Sequence, residues 1–103
     1  SHAQVSAWYR NQDTCDYLSQ LPLDRVREIH TVGPLMTEDT GLRDRHIEMK
    51  EKDYQILEWT LNNSTPKIVT LEYGGVGPIY EWRSDMDAIE RQLHRLTEIC
   101  DKY

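Results

Sequence analysis

Two segments of the chain have the pattern of a β-strand, in which every second side chain lies on the same face. In Arg25–Val32 this pattern places Glu28 and His30 on one face, and Lys67–Tyr73 has the same period of two. Because successive side chains of a strand point to opposite faces of a sheet, a period of two is the pattern of a half-buried strand. A third strand, with a weaker pattern, is predicted for Gln4–Tyr9 from its Val, Trp and Tyr residues.

Three further segments carry apolar residues at helical spacing. Asp13 is a predicted N-cap for a short helix that ends before Pro22. A second helix is predicted from about Glu51 to Asn62. The third begins after Ser84, which is its predicted N-cap. This last helix has a long apolar stripe, made of Met86, Ile89, Leu93, Leu96 and Cys100.

The predicted elements follow one another in the order strand, helix, strand, helix, strand, helix. Such an order predicts one α/β domain over residues 1–103, in which parallel strands are joined by right-handed crossovers. The dipeptide Gly33-Pro34 is expected to end the second strand, and an acidic loop then leads to Asp44 and His46. The glycine-rich run Gly74–Pro78 is expected to form a flexible exit from the third strand.

Two imidazoles and two carboxylates lie where the predicted strands end. His30 and Glu72 are near the ends of the second and third strands, and Asp44 and His46 occupy the loop that leaves the same edge. In parallel sheets, functional residues gather at the carboxyl ends of the strands. Neutral imidazole and carboxylate oxygen suit iron, manganese or zinc, so these four residues are candidate metal ligands. Glu28 is a candidate for orienting such a ligand without binding the metal itself.

Each of these residues also has an ordinary structural interpretation. His30 can be an interior histidine held by hydrogen bonds, and Asp44 with His46 can support a turn before a helix. Glu72 follows an apolar strand, so it needs a cation or a hydrogen-bond donor under either interpretation. The residues by themselves leave metal binding and mutual hydrogen bonding both open.

The composition narrows the range of functions. The 103 residues suffice for one small domain with a modest core, and the formal net charge of −6 disfavours nucleic-acid binding, which needs clustered Lys and Arg. The sequence shows neither an apolar run of the roughly 20 residues that cross a bilayer nor the pattern of a signal peptide, so a cytoplasmic protein is expected. Cys15 and Cys100 are expected to be reduced thiols, and Ser1-His2 is interpreted as the remnant of a purification tag.

Several of these segments together resemble one known family. This family comprises the multinuclear non-heme iron oxidases typified by the methanobactin-biosynthesis oxidase, which have a xylose-isomerase-like TIM barrel. The similarity extends over roughly Val5 to Leu96. It is carried by the order and spacing of Leu21-Pro22, Arg25-Val26, Glu28-Ile29-His30, Gly33, Asp44-Arg45-His46, Leu71-Glu72 and Glu81-Trp82-Arg83-Ser84-Asp85.

The resemblance implies both a cofactor and a reaction. In the family, the matching histidines and carboxylates bind iron ions, and the reaction is an oxygen-dependent rearrangement of a cysteine in a ribosomally made peptide. The resemblance therefore implies that His30, Asp44, His46 and Glu72 are iron ligands. A carboxylate can bridge two irons while an imidazole caps each of them.

The resemblance covers only the last part of such a barrel. A TIM barrel has eight strands and about 250 residues, whereas this chain supplies about three strand–helix units. We therefore expect the carboxy-terminal part of a metal-dependent oxidase-like barrel, with an incomplete site and no independent activity. The sheet face with Val26, Val32 and Ile68 would be uncovered, so we expect either a missing amino-terminal half or a homo-oligomer that pairs half-barrels.

Two other functions would use the same residues. A fragment of a sugar isomerase or epimerase-like barrel would bind one divalent metal with the same ligand types. Iron content together with oxygen consumption would separate it from the oxidase. In a non-catalytic interaction module, the polar side chains would only satisfy one another. That module is excluded by stoichiometric metal binding that disappears in a Glu72→Ala variant.

Overall fold

The chain forms a mixed α/β fold, with two small sheets among the residues described. The structure, a computed structural model, describes residues 1–74 and 84–103. Its elements are α1 (His2–Tyr9), α2 (Thr14–Ser19), a 3₁₀ turn (Leu23–Arg25), β1 (Glu28–Thr31), β2 (Gly33–Thr37), β3 (Gly41–Ile47), α3 (Glu51–Asn62), β4 (Ile68–Leu71) and α4 (Met86–Cys100).

Strands β1 and β4 pair in parallel, in agreement with the prediction from their alternating patterns. The register places Glu28 beside Ile68 and Thr31 beside Leu71. The connection between the two strands contains a β2–β3 hairpin and helix α3. Within the described part of the chain, the parallel sheet has two strands rather than the three predicted, because the segment expected as the first strand is a helix.

The prediction of a strand over Gln4–Tyr9 was wrong, because tertiary contacts favour a helix there. Gln4 and Ala7 are both buried and lie three residues apart, which is the spacing of one helix face. The Gln4 side-chain amide donates a hydrogen bond to Asp53 Oδ1 at 2.7 Å, and this bond ties α1 to α3. The strand preference of residues such as Trp8 depends on the packing around them, so it is a weak guide in a short segment.

The segment after β1 is an antiparallel hairpin and not the loop that was predicted. Gly33 and Pro34 begin β2 instead of ending the sheet structure. Gly41 follows the turn with a φ of +69°, a backbone conformation that residues other than glycine rarely adopt. A Cβ at Gly41 would also lie 2.4 Å from Cη2 of Trp8, so the hairpin and α1 meet at this glycine.

The core lies between the parallel sheet and helices α3 and α4. Helix α3 has the predicted bounds, and α4 begins after Asp85, whose carboxylate caps it in place of the predicted Ser84. The apolar stripe of α4 is covered only in part, since Met86 and Leu93 are exposed. The buried members of the main cluster are Met49, Tyr54, Leu57, Leu61, Leu96 and Ile99.

Only part of the sheet face that was expected to be uncovered is exposed. Ile68 is 55% exposed, whereas Val32 is buried against Tyr73 and Ala88. Val32 lies directly after β1, where the chain turns into β2 and is covered by the start of α4.

Three other sequence predictions have simpler outcomes. Beyond Gly74, the predicted glycine-rich exit lies outside the described residues, as does Glu81-Trp82-Arg83. No helix in the ranges 1–74 and 84–103 is long and apolar enough to cross a membrane. Cys15 and Cys100 are free thiols.

Candidate metal site at the carboxyl edge of the parallel sheet

His30 lies near the end of β1 between two carboxylates. Its Nδ1 is 2.9 Å from Glu72 Oε1, and its Nε2 is 3.1 Å from Glu28 Oε1. The parallel register explains this arrangement, because Thr70 is the partner of His30 and Glu72, two residues later, projects from the same face. The Thr70 hydroxyl donates a hydrogen bond to Glu28 Oε1 at 2.7 Å. Glu28 and Glu72 thus hold the imidazole from both sides, and Thr70 fixes Glu28.

The two carboxylates favour the protonated form of His30. The hydrogen bond to Glu72 is the largest cause that raises the pKa of His30 above its ordinary value of 6.5, and the charges of Glu72 and Glu28 add to it against a smaller opposing effect of burial. As an imidazolium, the ring can donate one N–H to each carboxylate. The side chain is 53% exposed, so the cluster remains open to solvent on one side.

Asp44 and His46 lie within β3, in an irregular stretch, and not in the loop that was predicted. Between the pairs Leu35–Arg43 and Gly33–Ile47, Pro34 on β2 faces the residues from Asp44 to His46 on β3. Pro34 has no N–H to contribute to the ladder, so the interruption leaves no N–H of Pro34 without a partner. Bulges of this kind bend a strand and re-aim its side chains, and they are frequent beside active sites.

The backbone at His46 is unusual. Its φ is +55°, in the left-handed region that residues other than glycine seldom adopt. The His46 ring lies against Asp44, with Nε2 at 3.3 Å from Oδ2. A backbone conformation with this energetic cost persists only where the surrounding structure enforces it, and residues in such conformations cluster at functional sites.

Asp44 is the centre of a second polar cluster, which includes the two amino-terminal residues. His2 Nε2 is 2.7 Å from Asp44 Oδ2, and the Ser1 hydroxyl donates a hydrogen bond to Oδ1. Burial pushes the pKa of Asp44 upwards, but the hydrogen bond from Ser1 and the nearby charges of His46 and His2 outweigh it, so the pKa lies below its ordinary value. Asp44 is therefore a carboxylate at neutral pH.

Ser1 is close to both clusters: its hydroxyl donates a hydrogen bond to Asp44, and it lines one cavity together with Glu28 and His30. Its amino group is sensitive to the charges of both clusters. Burial lowers the pKa of this amino group, while the charges of Asp44, Asp53 and Glu72 act in the opposite direction. One carboxylate from each predicted pair is thus within electrostatic reach of a single cation.

The side chains of the two clusters are of the kinds that bind metals, but too few of them surround any one point. Two ligand atoms that are each about 2.1 Å from one metal, at right angles, are about 3 Å apart. The nitrogen-to-oxygen separations of 2.9, 3.1 and 3.3 Å have this size. However, Glu28 and Glu72 face opposite nitrogens of His30, so an ion at Nε2 would have only Glu28 beside it. Within residues 1–74 and 84–103, no three His, Cys, Asp or Glu side chains form a group that could hold a metal ion.

A largely apolar cavity of about 430 Å³ opens beside this edge. Leu18, Val26 and Leu57 are among its walls, and Glu28 and His30 lie on its rim. Apolar walls with a few convergent polar groups are the usual character of a ligand site. The histidine cluster is therefore positioned where a bound molecule could reach it.

The structure sorts the predicted site residues into two hydrogen-bonded groups. His30 contacts Glu72 and also Glu28, whereas Asp44 contacts His46. The contacts of Ser1 and His2 with Asp44 were not predicted, because these two residues were interpreted as the remnant of a tag. The chain matches no family model, no curated protein and no solved structure.

Proposed function

We propose that this chain is the carboxy-terminal wall of a metal-dependent, oxidase-like α/β barrel. His30, Asp44, His46 and Glu72 would bind iron, and further ligands from outside this sequence or from another copy would complete the site for a peptide substrate. The observation that carries the proposal is the contact between His30 and Glu72 at the carboxyl end of the parallel β1–β4 pair, with Nδ1 2.9 Å from Oε1. Barrel enzymes place their functional residues at this edge.

The strand edges support the same proposal. Among the described residues, β1 and β4 pair only with each other, so each has an outer edge without a strand partner. Parallel sheets are normally larger and covered on both faces, and unpaired edges are usually protected. A neighbouring strand on either side would extend the sheet towards a barrel.

Within this proposal, Glu28 orients His30. Glu28 lies at Nε2 of His30, so that Nδ1 is directed towards Glu72. A carboxylate on one ring nitrogen fixes the orientation and tautomer of a metal-binding histidine. Asp44 and His46 would bind a metal together, since Nε2 of His46 is 3.3 Å from Asp44 Oδ2. A bound iron ion would supply the redox chemistry that these side chains lack.

The test is a titration of the ¹⁵N-labelled chain with Mn²⁺, a paramagnetic ion that prefers oxygen and nitrogen ligands. We expect the backbone signals around His30 and Asp44 to broaden before others, because even weak occupancy broadens nearby nuclei. Glu72→Gln should remove the broadening around His30. Glu38→Gln is the matched control, since Glu38 is an exposed carboxylate in the hairpin turn. Broadening that spreads evenly over the acidic surface would contradict the proposal.

A second candidate, the non-catalytic interaction module, also has one observation in its favour. Both ring nitrogens of His30 already have carboxylate partners, so the cluster satisfies its own hydrogen-bonding groups. The same titration separates the two candidates. Site-specific broadening that disappears in Glu72→Ala excludes the module, and uniform broadening of the unaltered chain supports it.

A further inference from the structure

A second cavity lies apart from the candidate metal ligands. It has a volume of about 320 Å³ and is formed by α1, the loop to α2, the β2–β3 hairpin and the start of α3. None of the four predicted ligands lines it. Ligand sites range from about 300 to 1,000 Å³, so this cavity suits one large side chain with its backbone rather than a cofactor. We call it the hairpin cleft.

The walls of the hairpin cleft include an exposed apolar rim. Trp8 from α1 is 43% exposed and Met36 from β2 is 52% exposed, and both line the cavity together with Pro34 and Leu42. Trp8 is held in place, because its ring packs over Gly41. Fixed aromatic and flexible Met side chains that remain exposed are typical of surfaces that bind apolar groups.

One polar atom of the hairpin cleft has no partner. Gln12 lines the cavity, and its Oε1 is buried without a hydrogen-bond donor in the part of the chain that the structure describes. Buried side-chain acceptors are nearly always paired in proteins. The missing partner must be an N–H or O–H donor. Because the oxygen is buried, the Gln12 side chain must rotate towards the cleft before a peptide backbone N–H can donate to it.

The exposed charges of the hairpin cleft are mainly positive, although the chain has a net charge of −6. Lys50 and Lys52 line it, both are exposed, and neither forms an ion pair within the described ranges. The lining also contains two carboxylates, of which Asp13 is exposed and Asp53 is buried. Asp13 accepts the N–H groups that begin α2, and Asp53 accepts from Gln4 and from the backbone of Lys50. The unpaired ammonium groups therefore favour an anionic partner.

We propose that the hairpin cleft binds an acidic peptide segment with one large apolar side chain. The apolar side chain inserts between Trp8 and Met36, a backbone N–H of the peptide donates to Gln12 Oε1, and peptide carboxylates pair with Lys50 and Lys52. This proposal does not depend on the metal site, which lies on other residues. Either one can fail while the other holds.

The test uses three synthetic peptides and the NMR signals of the intact chain. The first is a capped pentapeptide with leucine between two pairs of glutamates; the second replaces leucine by alanine, and the third replaces the glutamates by lysines. We expect the first peptide to shift the indole N–H signal of Trp8 and the side-chain amide of Gln12, and the others to bind at least tenfold more weakly. Equal binding of all three would overturn the proposal.

Two variants check the individual contacts. Lys52→Glu should weaken binding of the acidic peptide about tenfold, whereas Lys67→Glu, at an exposed lysine outside the cleft, should leave it unchanged. Gln12→Leu should weaken binding by roughly tenfold without lowering the melting temperature, because it removes an acceptor that has no partner in the fold. Unchanged affinity in both Lys52→Glu and Gln12→Leu would refute the assigned contacts, whatever their effect on stability.

Discussion

The substitution Ile99→Ala provides a quantitative test of the core. Ile99 is fully buried in the cluster between α3, α4 and the sheet. The change removes three carbon atoms, which corresponds to about 2.4 kcal/mol at roughly 0.8 kcal/mol for each buried group. The residual cavity adds to this value, so we expect a total loss of about 3 to 4 kcal/mol. A domain of this size has about 5–15 kcal/mol of stability, so the variant should still fold.

The assay is urea unfolding followed by circular dichroism. With a slope of about 1.5 kcal/mol per molar urea, the midpoint of Ile99→Ala should fall by roughly 2 M with the slope unchanged. Ile68→Ala is the matched control, because Ile68 is 55% exposed on the open face of β4 and should lose less than about 1 kcal/mol. Equal losses at the two positions would refute the reasoning, because Ile68 would then be covered in solution.

Three further predictions concern the hairpin, the last helix and the histidine cluster. Gly41→Ala should cost about 1–2 kcal/mol in thermal unfolding, because φ is +69° there, and it should change tryptophan fluorescence through Trp8; a variant as stable as the parent would contradict this. Asp85→Ala should cost about 1 kcal/mol in chemical unfolding, since it removes the cap of α4, and no loss would refute the cap. Glu72→Gln should lower the pKa of His30 in an NMR titration. Because the pKa of His30 is raised in the folded chain, the contact with Glu72 stabilises the fold fully at pH values below the ordinary pKa of histidine. This stabilisation is lost as the pH rises through the raised pKa. An unchanged pKa would contradict the contact with Glu72.

Local pattern was sufficient to predict the parallel strand pair and the two long helices. The alternation in β1 and β4 reflects one covered and one open sheet face, and the register that results brings His30 beside Glu72. Helix α3 and the apolar stripe of α4 followed from their helical spacing. These elements are long or regular enough for the burial of one face to determine their type.

The hairpin and α1 could not be predicted because their conformations depend on contacts distant in sequence. Gly33-Pro34 has the pattern of a strand end, yet Pro34 is tolerated in β2 because it faces the bulge of β3. The burial of Gln4 against Asp53 selects a helix for a segment whose residues favour strands. The position of Gly41 after an acidic turn was a usable signal for a hairpin, since glycine in the left-handed region commonly closes such loops.

The bulge is also the reason why the arrangement of the candidate site was only half predicted. The sequence pattern placed Asp44 and His46 in a loop, whereas they lie in an irregular stretch of β3 with a left-handed backbone at His46. No pattern of residue types encodes that geometry. The sequence identified the chemical groups, and the fold determined which of them meet.

The most direct test of the central claim follows the imidazole nitrogens of three histidines during an anaerobic Fe²⁺ titration by NMR. His30 and His46 belong to the proposed metal wall, and His94 is an exposed histidine on α4 that serves as an internal control. The account predicts that the signals of His30 and His46 broaden at the same low Fe²⁺ concentration while those of His94 remain sharp. Simultaneous broadening of all three, or broadening of His94 first, would contradict it.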